Sequence, residues 1–173
     1  MSAATRSPQA IRFESDGAIP NSPLPLLLYR AEFAETGEAG ARWLEETFAL
    51  NGWTNSWRNG VYSFHHYHTN THEVLGVYKG SALLQLGGEA GQEIEVGTGD
   101  VIVIPAGVGH KMLRACGTFA VVGAYPDGLD PDTLKEDELK MDEAMQRIRE
   151  VPLPGSDPVR GSGGLVEIWK QVR

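Results

Sequence analysis

The sequence predicts an all-β barrel decorated by helices, and three observations predict it. Between residues 60 and 124 the chain breaks into short apolar stretches punctuated by glycine turns such as Lys79-Gly80, Gly87-Gly88 and Gly97-Thr98-Gly99. Glycine is abundant, at 21 of 173 residues. The order of elements is helix, many strands, helix, strand, which is not the alternation of a βαβ fold.

The elements follow in chain order. Residues 1–25, rich in Ser, Pro and Ala, read as an N-terminal arm, and residues 26–173 as one domain. Leu26–Arg30 reads as a first strand. A helix is expected over Gly37–Leu50: Ala41, Leu44 and Phe48 share one face, Thr36 can cap the start, and Asn51-Gly52 can end it. The expected strands are Val61–His68, Glu73–Tyr78, Ser81–Leu86, Gln92–Val96, Val101–Ile104, His110–Leu113 and Phe119–Ala124. A second helix is expected from Asp130-Pro131, with Met141, Ala144, Met145 and Ile148 as its apolar stripe and Pro152 and Pro154 as its stop. Leu165–Lys170 reads as a last strand returning to the barrel edge.

Composition narrows the function classes. The formal net charge is −8 with a pI near 5.1, so a nucleic acid or an anionic membrane surface is a poor partner. The N-terminus lacks the basic-then-apolar plan of a signal peptide, and the single cysteine, Cys116, allows no internal disulfide. A cytoplasmic location is the expectation, with Cys116 buried and inert.

Four of the five histidines lie between residues 65 and 72. On a strand, His66 and His68 share a face with Tyr62 and Phe64, whereas His65 and Tyr67 face the other way. An antiparallel return brings Glu73 beside the two histidines, and barrel closure brings in His110. Imidazole nitrogens and a carboxylate suit one divalent transition metal, Fe, Mn, Ni, Zn or Cu, and can leave positions open for a small organic molecule. Without a metal, the same set would be a hydrogen-bonded polar cluster. His65 and His72 fall out of phase and are expected to hydrogen-bond on the outer face or at a subunit contact.

The spacing Gly60-x5-His66-x-His68-x4-Glu73-x6-Gly80 resembles the first cupin motif, and Gly99-x5-Pro105-x-Gly107-x2-His110 resembles the second. The family usually has Asn four residues after the last histidine, where this chain has Arg114. The wider text is similar to the YjlB-type cupins: Asn51-Gly52-Trp53, Ser56 to Gly60, His72 to Val77, Gly123-Ala124-Tyr125-Pro126 and Asp157-Pro158-Val159. The resemblance implies a double-stranded β-helix with core motifs at 60–114, a metal held by His66, His68, Glu73 and His110, and a homodimer; it implies no particular reaction.

A substrate pocket is expected around Tyr62, Phe64, Met112 and Arg114. Arg114 either binds a substrate carboxylate inside the barrel or sits in a surface salt bridge. Trp53, Trp57 and Arg58 form a lid or pack against the first helix. Three readings of the function stand: a mononuclear metal-dependent oxygenase or oxidoreductase with Glu73 as mobile base, a metal-dependent isomerase or lyase, and a non-catalytic small-molecule or metal sensor.

Overall fold

A computed structural model describes residues 6–173. In chain order the elements are β1 (Gln9–Phe13), β2 (Ser22–Tyr29), α1 (Gly37–Leu50), β3 (Trp53–Asn59), β4 (His66–Tyr67), β5 (Glu73–Leu86), β6 (Gln92–Gly97), β7 (Val101–Ile104), β8 (His110–Pro126), β9 (Leu134–Lys135), α2 (Met141–Glu150) and α3 (Leu165–Lys170). The sheet runs β1-β2-β7-β5-β8-β4-β9, with β3 also bonded to β8 and β6 to β5. All named pairs are antiparallel. Among the described residues, no helix is long and apolar enough to cross a membrane.

β5 and β8 organise the barrel. The first half of β5 lies between β7 and the end of β8, and its second half between β6 and the start of β8. The two halves meet at Gly80, where the ladder shifts register on both sides of Lys79. Gly80 has φ +69, and a Cβ there would lie 2.9 Å from the Thr118 carbonyl oxygen. The predicted Lys79-Gly80 turn is therefore a bulge within one long strand, which bends it across both halves of the barrel. In the same way His110–Leu113 and Phe119–Ala124 join into β8.

Side chains alternate across this sheet. Leu75, Val77, Leu84, Ile102, Ile104 and Val121 fill the barrel interior. Val74, Val101, Val103 and Val122 point outward into a second apolar layer with Leu44 and Phe48 of α1 and Leu165 and Trp169 of α3. α1 has the predicted bounds, because Ala41, Leu44 and Phe48 bury one stripe. Thr36 occupies the cap position without a side-chain cap hydrogen bond.

Several expectations are corrected. Residues 9–13 of the supposed arm form β1, since alternate Ile11 and Phe13 are buried in the barrel core and Ile11 pairs with Leu26. Residues 1–5 of the arm lie outside the described residues. Leu165–Lys170 is a helix: Leu165 and Trp169, four residues apart, both reach the outer layer. The Trp169 indole N–H donates to the Pro25 carbonyl at 2.9 Å. The second helix starts at Met141 and not at Asp130. Asp132 is committed elsewhere: its carboxylate accepts from the Thr69 backbone N–H at 2.7 Å and from the Thr69 hydroxyl. Cys116 is exposed on β8.

Candidate metal centre

β4 is two residues long, and its pairing decides the site. His66 sits opposite His110 of β8 on one side and Lys135 of β9 on the other. His68 follows immediately after β4, and Glu73 opens β5 opposite Ile104. All four residues are buried, none more than 5% exposed. One ligand atom from each of His66, His68 and His110 lies within 4.8 Å of the others. Glu73 Oε1 stands 3.4 Å from His68 Nε2 and 3.3 Å from His110 Nε2.

The backbone fixes the imidazoles. His66 Nδ1 lies 3.1 Å from the Phe64 carbonyl, His110 Nδ1 lies 3.0 Å from the Val108 carbonyl, and His68 Nδ1 meets the Asp132 carbonyl. A carbonyl only accepts, so each Nδ1 carries the proton and each Nε2 presents a bare lone pair. Nε2 of His68 and of His110 is buried with no hydrogen-bond partner. The nearby Glu73 oxygen is close enough to be felt as charge, but it is not aligned as a hydrogen-bond partner.

Charge and burial compete here. Burial, followed by the neighbouring His110, pushes the His66 pKa down to about 3. For His68 burial is the largest influence and pushes downward, but the charge and hydrogen bonding of Glu73 and Asp132 together outweigh it and the net direction is upward. For Glu73 burial pushes upward, yet His68 and His110 hold the carboxyl below its usual range. Bare inward-facing nitrogens beside an ionised carboxylate form a donor set that fits a divalent transition cation.

The cluster lines a pocket of about 440 Å³, whose wall includes Trp57, Leu75 and Tyr125 and whose lining also takes in Pro131 and Thr133.

The Cupin_2 family model, described as Cupin domain, matches residues 58–122. Over 166 residues the chain is 43% identical to "Uncharacterized protein YjlB" of Bacillus subtilis (strain 168), covering 95% of this chain and 98% of the relative. The chain belongs to the cupin family. Solved structures similar to this cupin include acireductone dioxygenase from Bacillus anthracis with cadmium ion in its active center, at 17% identity and a TM-score of 0.38 over 54% of this chain and 64% of that one. Another is an oxalate decarboxylase, at 18% identity and a TM-score of 0.39 over 72% of this chain and 29% of that one. The chain thus spans less than two thirds of either neighbour's length.

The expected pocket residues divide. Tyr62 lines the cupin's pocket but is 58% exposed, so it is a rim residue and not a buried phenol. Phe64 stacks on Tyr62 with ring centroids 4.8 Å apart and lies outside the pocket lining. The strand predicted from Val61 forms only at His66–Tyr67, so the alternation extrapolated from the histidines does not reach these two residues. Met112 packs against the barrel core. Arg114 is exposed and outside the pocket. Leu84 pairs with Met112 but Leu83 pairs with Arg114, so Leu113 is an extra residue and the phase flips behind it. The arginine therefore leaves the barrel face that carries His110.

The flanking histidines face outward. His65 Nε2 meets Glu89 at 2.6 Å. His72 is enclosed: its Nδ1 accepts from the Ala106 N–H at 2.9 Å and its Nε2–H donates to the Pro152 carbonyl at 3.1 Å.

Sequence reasoning missed Asp132 and Tyr125. Asp132 supplies the carbonyl that orients His68, and its carboxylate ties the 130–135 segment to Thr69. No pattern in the sequence pairs residues that far apart. Tyr125 offered a signal, since strict alternation along β8 places it on the face of Val121 and Gly123.

Proposed function

We propose that this cupin is a metal-dependent enzyme acting on a small organic molecule, with one divalent transition metal held by His66, His68, Glu73 and His110. The observation that carries this reading is the pair of buried, unpartnered Nε2 atoms on His68 and His110. A buried polar atom without a partner is costly, and three rings anchored through Nδ1 have nothing else to give inward. The ion would be Fe, Mn, Ni, Zn or Cu, and it would supply Lewis acidity and open coordination positions for substrate or dioxygen.

The leading reaction class is oxidation or oxygenation at a mononuclear centre. The chain's own contribution is positional. Phe64, Val108 and Asp132 hold the imidazoles through their carbonyls, Leu75 and the Trp57 indole wall the pocket against water, and Glu73 holds negative charge at Oε1. The lowered pKa of Glu73 makes it a ligand first; it becomes a base for a substrate proton when it swings away from His68 and His110. Substrate chemistry of the isomerase or lyase type would use the same base without dioxygen. β6 is bonded along one edge only, which suits pairing with a second copy as a homodimer, and the lone exposed Cys116 suits the cytoplasm.

The test is metal analysis of protein purified without added metal, followed by a dioxygen-consumption screen of small organic molecules. Stoichiometric metal and substrate-dependent oxygen uptake are expected. Conversion without oxygen uptake selects the isomerase or lyase reading, and tight binding with the ligand returned unchanged selects the sensor.

A further inference from the structure

We propose that Tyr125 is the hydrogen-bond donor through which this pocket grips its ligand, and that the ligand is a small oxygen donor carrying a single negative charge. This rests on the metal reading above and extends it to the substrate class.

The position of Tyr125 is built, not incidental. It lies on the inner face of β8, two residues beyond Gly123, which pairs with Leu75. Its side chain is 5% exposed, and its ring stands edge-on to His68 at 6.4 Å. The Trp57 Nε1–H donates to the Tyr125 hydroxyl at 2.8 Å. The indole reaches it only because residue 123 has no side chain: a Cβ on Gly123 would lie 2.3 Å from the ring. β3, β8 and a glycine between them thus aim one phenol at the metal ligands.

The hydroxyl has one proton to give; Trp57 occupies acceptor capacity and not that proton, which is left for an acceptor at the metal ligands, Glu73 or a bound ligand oxygen. An oxygen bound between the metal ligands and Tyr125 is the partner that such a donor fits.

Charge sets the rest. Three neutral imidazoles, one carboxylate and a divalent ion leave a single positive charge in a pocket with one other cationic side chain. That side chain, Arg58, is already committed, at 2.8 Å to Glu38 and 3.1 Å through Nε to Glu45. Arg114 lies outside. One negative charge on the ligand is therefore matched, and a second would find no uncommitted cation in the pocket lining. The pocket suits a monoanion such as an enolate or a monocarboxylate, and it disfavours a dicarboxylate or a phosphate ester.

The experiment uses the full chain loaded with Co(II), whose visible absorption reports ligand binding, with benzoate as the monoanion and isophthalate as the same ring bearing a second carboxylate. Calorimetry gives the affinities, and cobalt content is measured separately. Wild type should bind benzoate at least ten-fold tighter than isophthalate. Tyr125→Phe should keep full cobalt and weaken benzoate about ten-fold. Trp57→Phe, which keeps an aromatic ring but removes the N–H, should weaken benzoate in the same direction and by less. Unchanged benzoate affinity in Tyr125→Phe overturns the proposal, as does cobalt loss in that variant, which would make Tyr125 part of the metal's support. Equal affinity for the two acids overturns the charge assignment. A wild type that takes up no cobalt overturns the metal reading itself and this proposal with it.

Discussion

His68 and His72 lie four residues apart, both are buried, and they do opposite things. His68 turns Nδ1 to a backbone carbonyl and leaves Nε2 bare inside the barrel. His72 uses both nitrogens, accepting at Nδ1 from Ala106 and donating at Nε2 to Pro152, with its ring 4.8 Å from that of Trp169 on the outer layer. A histidine whose two nitrogens are spent on the backbone is a strut. A histidine with one nitrogen spent and one left bare in the pocket, beside two more such rings and a carboxylate, is a ligand in waiting; His65 also has a bare buried Nδ1, but it stands apart from that cluster. Both His68 and His72 lie in the connection between β4 and β5, and the side each ring takes decides between them: His68 lines the pocket and His72 packs on Trp169 of the outer layer.

The contrast breaks most visibly in metal content. His110→Ala or His68→Ala should weaken metal binding by more than the ~100-fold that loss of an outer-shell partner can cost. His72→Ala should leave the metal in place while lowering the melting temperature; equilibrium dialysis and calorimetry separate the two outcomes.

pH sharpens the comparison next. Burial lowers the His72 pKa from 6.5 to about 4, so folding favours its neutral form. Between those two values the unfolded chain binds the extra proton, so stability contributed by His72 is complete above pH 6.5 and is lost as pH falls toward 4. The loss is about 3 kcal/mol. Urea denaturation of metal-free protein across that window should show the fall, and His72→Gln should make it shallower. His66, with its pKa also pushed down, contributes a fall that the His72 variant retains.

Two smaller effects follow. Asp132→Ala frees the segment whose carbonyl orients His68, and should weaken metal binding about ten-fold without unfolding the barrel. His65→Ala removes an outward contact to Glu89 and should leave metal content unchanged, with the smallest melting shift of the set.

Much of this was legible in the sequence where one local rule acted alone. α1 followed from an uninterrupted apolar stripe ended by Asn51-Gly52, and β7 from four apolar residues between turns. The motif spacing pointed to His66, His68 and His110, which the fold brings together. What was hidden depended on partners far away in the chain. Leu165–Lys170 is too short for its period to distinguish strand from helix, and packing on β2 in the outer layer decided it. The bulge at Leu113 depends on how β8 pairs with β5, and it alone carries Arg114 out of the barrel. The alliance of Trp57 with Tyr125 needs two strands and the missing side chain at Gly123, none of which is a sequence signal by itself.

The central claim is that the bare imidazole nitrogens inside the barrel hold a metal. X-ray absorption spectroscopy on protein purified without added metal addresses it most directly. The account predicts about one transition metal per chain, with three imidazole nitrogens at ~2.0–2.2 Å if the ion is zinc-like and a carboxylate oxygen at a similar distance. A substoichiometric metal, or a first shell lacking the imidazole signature, would contradict it.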